Sequence, residues 1–303
     1  MIGGSPSGVA GVRWTAPEGA RETVDTDLVV DASGDGRLTL DVLRATGYGA
    51  LKETTIGVDI AYATTVFDSP DDAPTGWKGV YCLPEIPKSG RGGLMAPIEG
   101  RRWMLTLAGR AGDVLPADHD AFMAYARTLR TATIYDAIKN AKRVTEINRF
   151  RFPESRYRHY DAQRFPQGLL PIGDAICRFN PIYGQGMSVA AQEARVLREI
   201  LHARHSAPSP LGDLAREFFQ QADGLIETPW AGAALPDLAY PDNRGERPPD
   251  LLQRLKFGAA LTALAARDPA VHKLTAEVAQ LLKPRSAYRD PELVARVTAL
   301  MSP

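Results

Sequence analysis

The sequence predicts a mixed α/β fold on three observations: a strand that runs into a glycine turn and a helix over residues 28–46, apolar residues alternating from Ile56 to Phe67, and helical spacing through most of the chain beyond Gly186. Val9 to Trp14 and Thr23 to Asp31 flank the turn-forming Pro17-Glu18-Gly19 and read as an antiparallel pair, with Leu28-Val29-Val30 as a buried strand. Ala32-Ser33-Gly34-Asp35-Gly36 then leads into a helix from Leu38 to Thr46, with Gly47 as its C-cap. Ile56, Val58, Ile60, Tyr62 and Val66 recur at period two, the pattern of a long half-buried strand. Gly93 to Ile98 and Arg102 to Ala108 flank Glu99-Gly100-Arg101 as a hairpin does. Asp118 caps a helix with Phe122, Tyr125, Ala126 and Leu129 on one side, Thr133 to Lys142 reads as a second helix, and Val144 to Phe152 as extended chain. Gly168 to Gly173 is a further buried strand that delivers Asp174 into a turn-rich loop, and a helix runs from Gly186 to about His202. The rest is helical, notably Leu251 to Ala266, Val271 to Leu282 and Pro291 to Leu300, with breaks at Pro208 to Pro210, Pro236 to Pro249 and Pro284.

With 303 residues and 44% apolar content the chain can bury a large core. Thirty-six basic residues balance thirty-six acidic ones, so no net field gathers nucleic acid or holds the chain to an anionic membrane. Cys82 and Cys177 are too few for a disulfide framework and badly spaced for structural zinc, and read as buried thiols in a reducing compartment. The first residues have no basic and apolar leader pattern, and no window approaches a bilayer span. The expectation is a soluble, cytoplasmic protein.

The most informative stretch is Gly173-Asp174-Ala175-Ile176-Cys177-Arg178-Phe179-Asn180-Pro181-Ile182-Tyr183-Gly184-Gln185-Gly186-Met187-Ser188. A strand ends in a carboxylate, a loop bends through Pro181, and two glycines let backbone pass close to a ligand before a helix begins. Amides at the helix start favour an electron-rich ring edge or an anion, typically by about 0.3 to 1 kcal/mol. An ionised Asp174 only accepts hydrogen bonds, which suits a polyol rather than a phosphate.

Gly-Asp-Ala followed by Pro-x-x-Gly-Gln-Gly-Met resembles the second flavin-binding motif of the FAD-dependent monooxygenases that include aromatic hydroxylases and squalene- and polyether-type epoxidases. The resemblance implies that Gly173 and Asp174 meet the ribityl chain of FAD, and that Pro181, Gly184, Gly186 and Met187 shape the loop whose backbone meets the pyrimidine edge of the isoalloxazine. Asp27-Leu28-Val29-Val30-Asp31-Ala32-Ser33-Gly34 is similar to the family's strand and turn near the FAD pyrophosphate, which adds Ser33 and Gly34 to the cofactor-binding set. Arg37 stands where that family carries a serine, and Asp35 where a basic residue is common, a like charge near a diphosphate.

The implied architecture is a partial FAD/NAD(P)-binding Rossmann-like domain with a β-sheet substrate domain and a helical C-terminal region. The expected divisions are 1–50 and 151–206 for the two FAD-binding parts, 51–150 for the substrate sheet and 207–303 for the helical region. The implied activity is a monooxygenase, hydroxylase or epoxidase, of a hydrophobic small molecule, with NAD(P)H as electron donor. Tyr62, Trp77, Met95 and Trp103 are expected on the substrate side, and no single catalytic side chain stands out. The alternatives are a flavin-dependent reductase or dehydrogenase without oxygen insertion, and a non-enzymatic remnant that no longer binds FAD.

The family opens with a strand, a Gly-x-Gly-x-x-Gly turn and a helix that takes the pyrophosphate, whereas Gly3 to Gly8 has glycines without that context and reads as a flexible terminus. The chain is therefore expected to be N-terminally incomplete and to bind FAD weakly or not at all alone. Three lost charge-assisted bonds would lower affinity by roughly a thousandfold to a millionfold. An open sheet edge would favour self-association or a partner that supplies the missing segment.

Other patterns are weaker. Asp31-x-Ser33-x-Asp35-Gly36 mimics the start of a calcium loop, but Val42 stands at position twelve. Gly186 to Ala190 lacks the last glycine of a nucleophile elbow. His202 and His205 have no third ligand, so no metal site is expected. Arg149, Arg151, Arg156 and Arg158 interleave with Phe150, Phe152, Tyr157 and Tyr160, which reads as a strand with one polar face rather than an RNA surface.

Overall fold

The computed structural model describes residues 2–5, 8–71, 73, 76–110, 112–160 and 165–301. The chain opens with β1 (Ile2–Ser5), β2 (Gly8–Thr15), β3 (Arg21–Asp25), β4 (Val29–Asp31) and α1 (Arg37–Ala45). It continues through β5 (Lys52–Asp68), β6 (Val80–Cys82), β7 (Gly92–Ile98), β8 (Arg102–Gly109), α2 (His119–Arg127), α3 (Thr133–Ile138) and β9 (Asn148–His159). β10 (Leu169–Pro171), β11 (Cys177–Arg178) and α4 (Gly186–Arg204) follow, then α5 (Leu214–Leu238), α6 (Leu251–Ala265), α7 (Pro269–Ala279) and α8 (Pro291–Ala299). Two units divide these elements. The first holds Met1–Thr55, Ser155–Leu235 and Asp250–Pro303, and the second Ile56–Glu154 and Pro236–Pro249. No helix among the described residues is long and apolar enough to cross a membrane.

In the first unit, β1, β2 and β3 form an antiparallel sheet. Gly3 to Ser5 is therefore not a loose end: Ile2 pairs with Val12 and Gly4 with Val9, across a register shift between Gly3 and Gly4. Glycines absorb such a bulge without steric cost. Pro6 and Ser7 lie outside the described residues. The single strand expected from Thr23 to Asp31 is two strands. Thr26 breaks it, its hydroxyl donating to the Leu28 carbonyl at 3.1 Å, so that β3 pairs with β2 while β4 pairs in parallel with β10.

α1 ends as its glycine predicts. The Gly47 amide donates to Arg44 O and that of Tyr48 to Leu43 O, with Gly47 at φ 71°, the paired bonds of a Schellman cap. The main core gathers Leu170, Ile176, Phe179, Val189, Leu197 and Phe218 with their neighbours from α1, β10, α4 and α5. α5 contradicts the break expected at Pro236: it runs through both Pro229 and Pro236 to Leu238. A helical proline costs about 3 kcal/mol, which full burial of Phe218, Phe219, Ala222 and Ile226 along this helix outweighs. α6, α7 and α8 pack a smaller core around Leu261, Val271, Leu293 and Val297. Asp268 and Asp290 cap the last two helices, each followed by proline at the first helical position.

In the second unit the strands lie in the order β9-β5-β8-β7-β6. One face is covered by α2 and α3, whose Phe122, Ala126, Ile134 and Ile138 pack on Ala63, Phe67, Met95, Trp103, Leu105 and Leu107. The alternation in β5 is not continuous. Ile56, Val58 and Ile60 are buried, then Ala63, Thr65 and Phe67, so the parity flips between Ile60 and Ala63, next to Asp59 at φ 41°. Pairing with β8 begins there, Ala61 opposite Gly109. Tyr62 and Val66 consequently sit half-buried on the other face, not beside Ile56 as their spacing implied. α3 stops at Ile138, short of Lys142, because the Lys142 carbonyl accepts the Asp68 amide and the Val144 amide donates to Val66 O. The segment 236–249 is held by Arg110, whose guanidinium meets Asp237 at 2.6 Å and lies 4.1 Å from the Tyr240 ring centre.

Candidate functional site

β4 and β10 are parallel, with Pro171 opposite Asp31. Both strands end side by side, and the loops after them emerge at the carboxyl end of the pair, where open α/β sheets take their ligands.

The first loop is built around Asp31, which is 2% exposed. Its Oδ1 accepts the Ser33 amide at 3.1 Å and the Ser33 hydroxyl at 2.6 Å, and its Oδ2 accepts the Thr39 amide at 3.0 Å and the Thr39 hydroxyl at 2.6 Å. Burial alone would raise this carboxyl, but the four donors from Ser33 and Thr39 prevail and hold it below its usual range. The calcium-like spacing is thus spent on a turn clamp, and Ser33 donates its hydroxyl proton inward. Gly36 has φ 64°, and a Cβ there would lie 2.6 Å from Arg158 Nη1, so only glycine fits. Asp35 and Arg37 are exposed and 3.9 Å apart.

The second loop starts with a 3-10 turn, Gly173–Ala175. Asp174 is next to the first loop: a Cβ on Gly34 would lie 4.0 Å from the Asp174 Cβ. The Asp174 side chain reaches solvent, yet its carboxyl is raised. Protein crowded around it removes part of its hydration, and Arg178 and Arg156 offset only some of that.

Asn180 is fully buried, and its Oδ1 accepts the Ile182 amide at 3.2 Å, which fixes the bend into the turn Pro181–Tyr183. Gly184 takes φ 67°, and nothing lies within 4 Å of where its Cβ would be. Gly186 is the first residue of α4, and a Cβ there would lie 3.8 Å from Asp174 Oδ1. Met187 is 87% exposed. The amide-bearing start of α4 and the Asp174 carboxylate therefore share one open surface. Gly173, Asp174, Gly186, Ser33 and Gly34 are gathered around it, Gly184 and Met187 lie on the same open loop, and Pro181 shapes that loop from an exposed position.

Three groups escaped the sequence reading. Arg158 was expected on a polar face but is 2% exposed. It pins the two loops together: Nε meets Glu53 at 2.8 Å, and Nη1 donates to Asp35 O at 2.8 Å and to Ala175 O at 3.0 Å. Glu193 is fully buried in α4; its Oε2 accepts the Gly173 amide at 2.6 Å, while Oε1 has no partner. Its carboxyl is pushed up to about 7 by burial first, with the Gly173 amide opposing and the Asp174 charge adding. The available signal was position, since Glu193 falls in the apolar stripe of Val189, Val196, Leu197 and Ile200. The third is Arg156, whose Nε and Nη2 are shielded from solvent without a hydrogen-bond partner. A buried donor left unsatisfied costs about 1–3 kcal/mol, and more when charged.

Among the described residues, no group of three or more His, Cys, Asp and Glu could hold a metal ion. The site offers an acceptor-only carboxylate, a helix start and desolvated cationic donors. Such groups suit a polyol or an electron-rich ring.

No family model matches the chain. The fold is the mixed α/β fold of the FAD-dependent monooxygenases. The flavin-dependent brominase Bmp2 superposes with a TM-score of 0.62 at 15% identity, over 92% of this chain and 63% of that one. The anhydrotetracycline hydroxylase OxyS from Streptomyces rimosus gives 0.56 at 19% identity, over 94% of this chain and 51% of that one. By sequence the chain is similar to Protein Rv3254 of Mycobacterium tuberculosis, 34% identical over 220 residues, which is 72% of this chain and 46% of that protein. The chain thus spans about half the length of the curated relative it matches.

Proposed function

We propose that the chain is the ring- and ribityl-binding part of an FAD-dependent oxidoreductase, a monooxygenase acting on a hydrophobic small molecule. The observation that carries this reading is the shared opening of Asp174, Gly184 and the Gly186 helix start. The residues fit a flavin. The backbone at Gly184 is open, the carboxylate beside Gly186 suits ribityl hydroxyls, and the α4 amides suit the pyrimidine edge. A flavin held here would supply the redox chemistry, a two-electron exchange between NAD(P)H and oxygen. The protein's share is to fix the ring against Gly186 and Met187, hold the ribityl chain at Asp174 and keep both loops rigid through Asp31 and Arg158. No Gly-x-Gly-x-x-Gly helix serves the diphosphate in this sequence, so binding by these residues alone is expected to be weak.

Met95 and Trp103 do not serve a substrate surface, because both are buried under α2 and α3, and Trp77 packs beside them, 5.5 Å from Trp103. The face of the sheet opposite the helices carries Tyr62, Leu94, Met104 and Phe150, with Tyr62 and Phe150 stacked at 6.3 Å. We assign the hydrophobic substrate to this face. A fold of this kind hosts several chemistries, and the solved relatives include a brominase and a hydroxylase. With FAD and NAD(P)H supplied, a monooxygenase consumes one oxygen molecule per NAD(P)H and forms one oxygenated product. NAD(P)H oxidation without stoichiometric oxygen in the product would favour the reductase reading instead.

The β4 and β10 pair is a two-stranded sheet among the described residues. Strand edges of that kind accept a further strand, which supports self-association or a partner chain. Sedimentation above micromolar concentration is expected to show oligomers, and a monodisperse monomer would contradict this.

A further inference from the structure

Arg285 opens the 3-10 turn Arg285–Arg289, where its amide donates to Thr228 Oγ1 on α5 at 3.2 Å. Its guanidinium is half-buried, yet it bonds to no acceptor among the described residues. Arg91, Arg110, Arg158 and Arg204 are buried or half-buried too, and each meets a carboxylate. Burial holds the Arg285 guanidinium below the usual arginine range, Tyr288 works against that shift, and the Arg254 charge adds to it. Unlike two of the Arg156 nitrogens, those of Arg285 are not sealed from solvent. The space beside them is open. Gly232 lies one turn beyond Thr228 on the same face of α5, and where its Cβ would stand the nearest atom outside its helix is Arg285 Nη1, at 4.0 Å. The missing side chain leaves a slot with the guanidinium at its rim. Tyr288 stands three residues along the turn, the spacing at which 3-10 side chains stack. Its ring packs on the small core, and its hydroxyl has no partner among the described residues. On α6, Arg254 is close enough for its charge to weigh on Arg285; Asp250 holds its Nε at 2.8 Å, and the rest of its fork is unbonded among the described residues.

We propose that the slot over Gly232, bordered by Thr228, Arg254, Arg285 and Tyr288, is a second ligand site that takes the phosphate group of a small molecule. Two guanidinium groups stand there against one carboxylate, Asp250, and the Thr228 and Tyr288 hydroxyls add two neutral donors. That set matches a phosphate, which brings nearly two negative charges and three acceptor oxygens. The Arg285 fork takes two of the oxygens, a hydroxyl donates to the third, and Arg254 supplies the second positive charge. The assignment does not rest on the flavin reading, since none of these residues belongs to the loops around Asp174 and Ser33.

The test is a titration of the full chain with inorganic phosphate, followed by backbone amide NMR, with sodium chloride at matched ionic strength and sodium acetate as controls. Phosphate is expected to shift the amides of Thr228, Gly232, Arg285 and Tyr288, and chloride to leave them in place. Arg285→Gln should weaken phosphate binding about tenfold to a hundredfold, the effect of one charge-assisted contact. The same variant should melt no lower than the native chain, because the cation it removes has no partner to lose. Gly232→Leu fills the slot while Arg285 stays, and should abolish phosphate binding. Equal shifts with chloride would mean a screened cationic surface and would overturn the site. Acetate binding as tightly as phosphate would overturn the assignment to a phosphate. Native affinity in Arg285→Gln, or no shift of the four amides at about 50 mM phosphate, far above the ~1 mM dissociation constant of even a weak site, would overturn the proposal altogether.

Discussion

Replacing Arg158 with methionine is expected to destabilise the first unit by about 2–4 kcal/mol, because two backbone carbonyls lose a charged donor at about 1–3 kcal/mol each, while Glu53, 35% exposed, keeps its contact with water. The guanidinium is 3% exposed, and its loss strips donors from Glu53, Asp35 O and Ala175 O together. The Ala175 carbonyl keeps one weaker donor, the Tyr160 hydroxyl at 3.2 Å; the Asp35 carbonyl loses the one side-chain donor described above. Methionine fills much of the volume but offers no donor. Lysine should not rescue it, because one ammonium cannot reproduce a fork that reaches three acceptors. In a thermal melt the fall should be roughly 10 °C. Flavin affinity should fall with it, since the turn at Gly36 and the loop at Ala175 lose their common pin. A variant that melts within 2 °C of the native chain, on the same rough scale, would show that the pin is not what holds the loops.

Glu193→Gln is expected to make stability less dependent on pH and higher above neutrality. The folded carboxyl titrates at about 7, above its ordinary 4.5. A raised acid keeps its full contribution below about pH 4.5 and loses it as the pH rises through 7, because the folded state must then hold a buried charge. At about 1.4 kcal/mol per pH unit of separation, the loss approaches about 3 kcal/mol. Glutamine stands in for the neutral acid and can still accept the Gly173 amide. Melts of both proteins from acid to mildly alkaline pH should therefore separate between about pH 4.5 and 7, with the native chain falling below the variant and staying below it at higher pH. Parallel curves would mean that Glu193 carries no such penalty.

The residues that form the candidate site were legible because they are local. Asp174, Pro181, Gly184 and Gly186 sit within one loop, and their types impose a bend, an open backbone and a helix start whatever surrounds them. The cap at Gly47, the hairpin at Glu99 to Arg101 and the helix behind Asp118 were legible for the same reason. What failed depended on contacts distant in sequence. Arg158 looked solvated because period two places it with other arginines, whereas its partners are Glu53 and Asp35, more than a hundred residues away. The parity flip in β5 follows from where β8 joins it. α5 survives two prolines because its other face is packed with phenylalanine. Met95 and Trp103 looked like substrate contacts because nothing in their own stretch shows that α2 and α3 cover them.

The central claim is that the loop from Gly184 to Met187 and Asp174 receive the ring and ribityl chain of a flavin. Backbone amide NMR spectra of the chain with and without added FAD test it most directly, even when binding is weak. The amides of Asp174, Gly184, Gln185, Gly186 and Met187 should shift progressively as FAD is added. Shifts confined to other residues, with these five unmoved at saturating FAD, would contradict it.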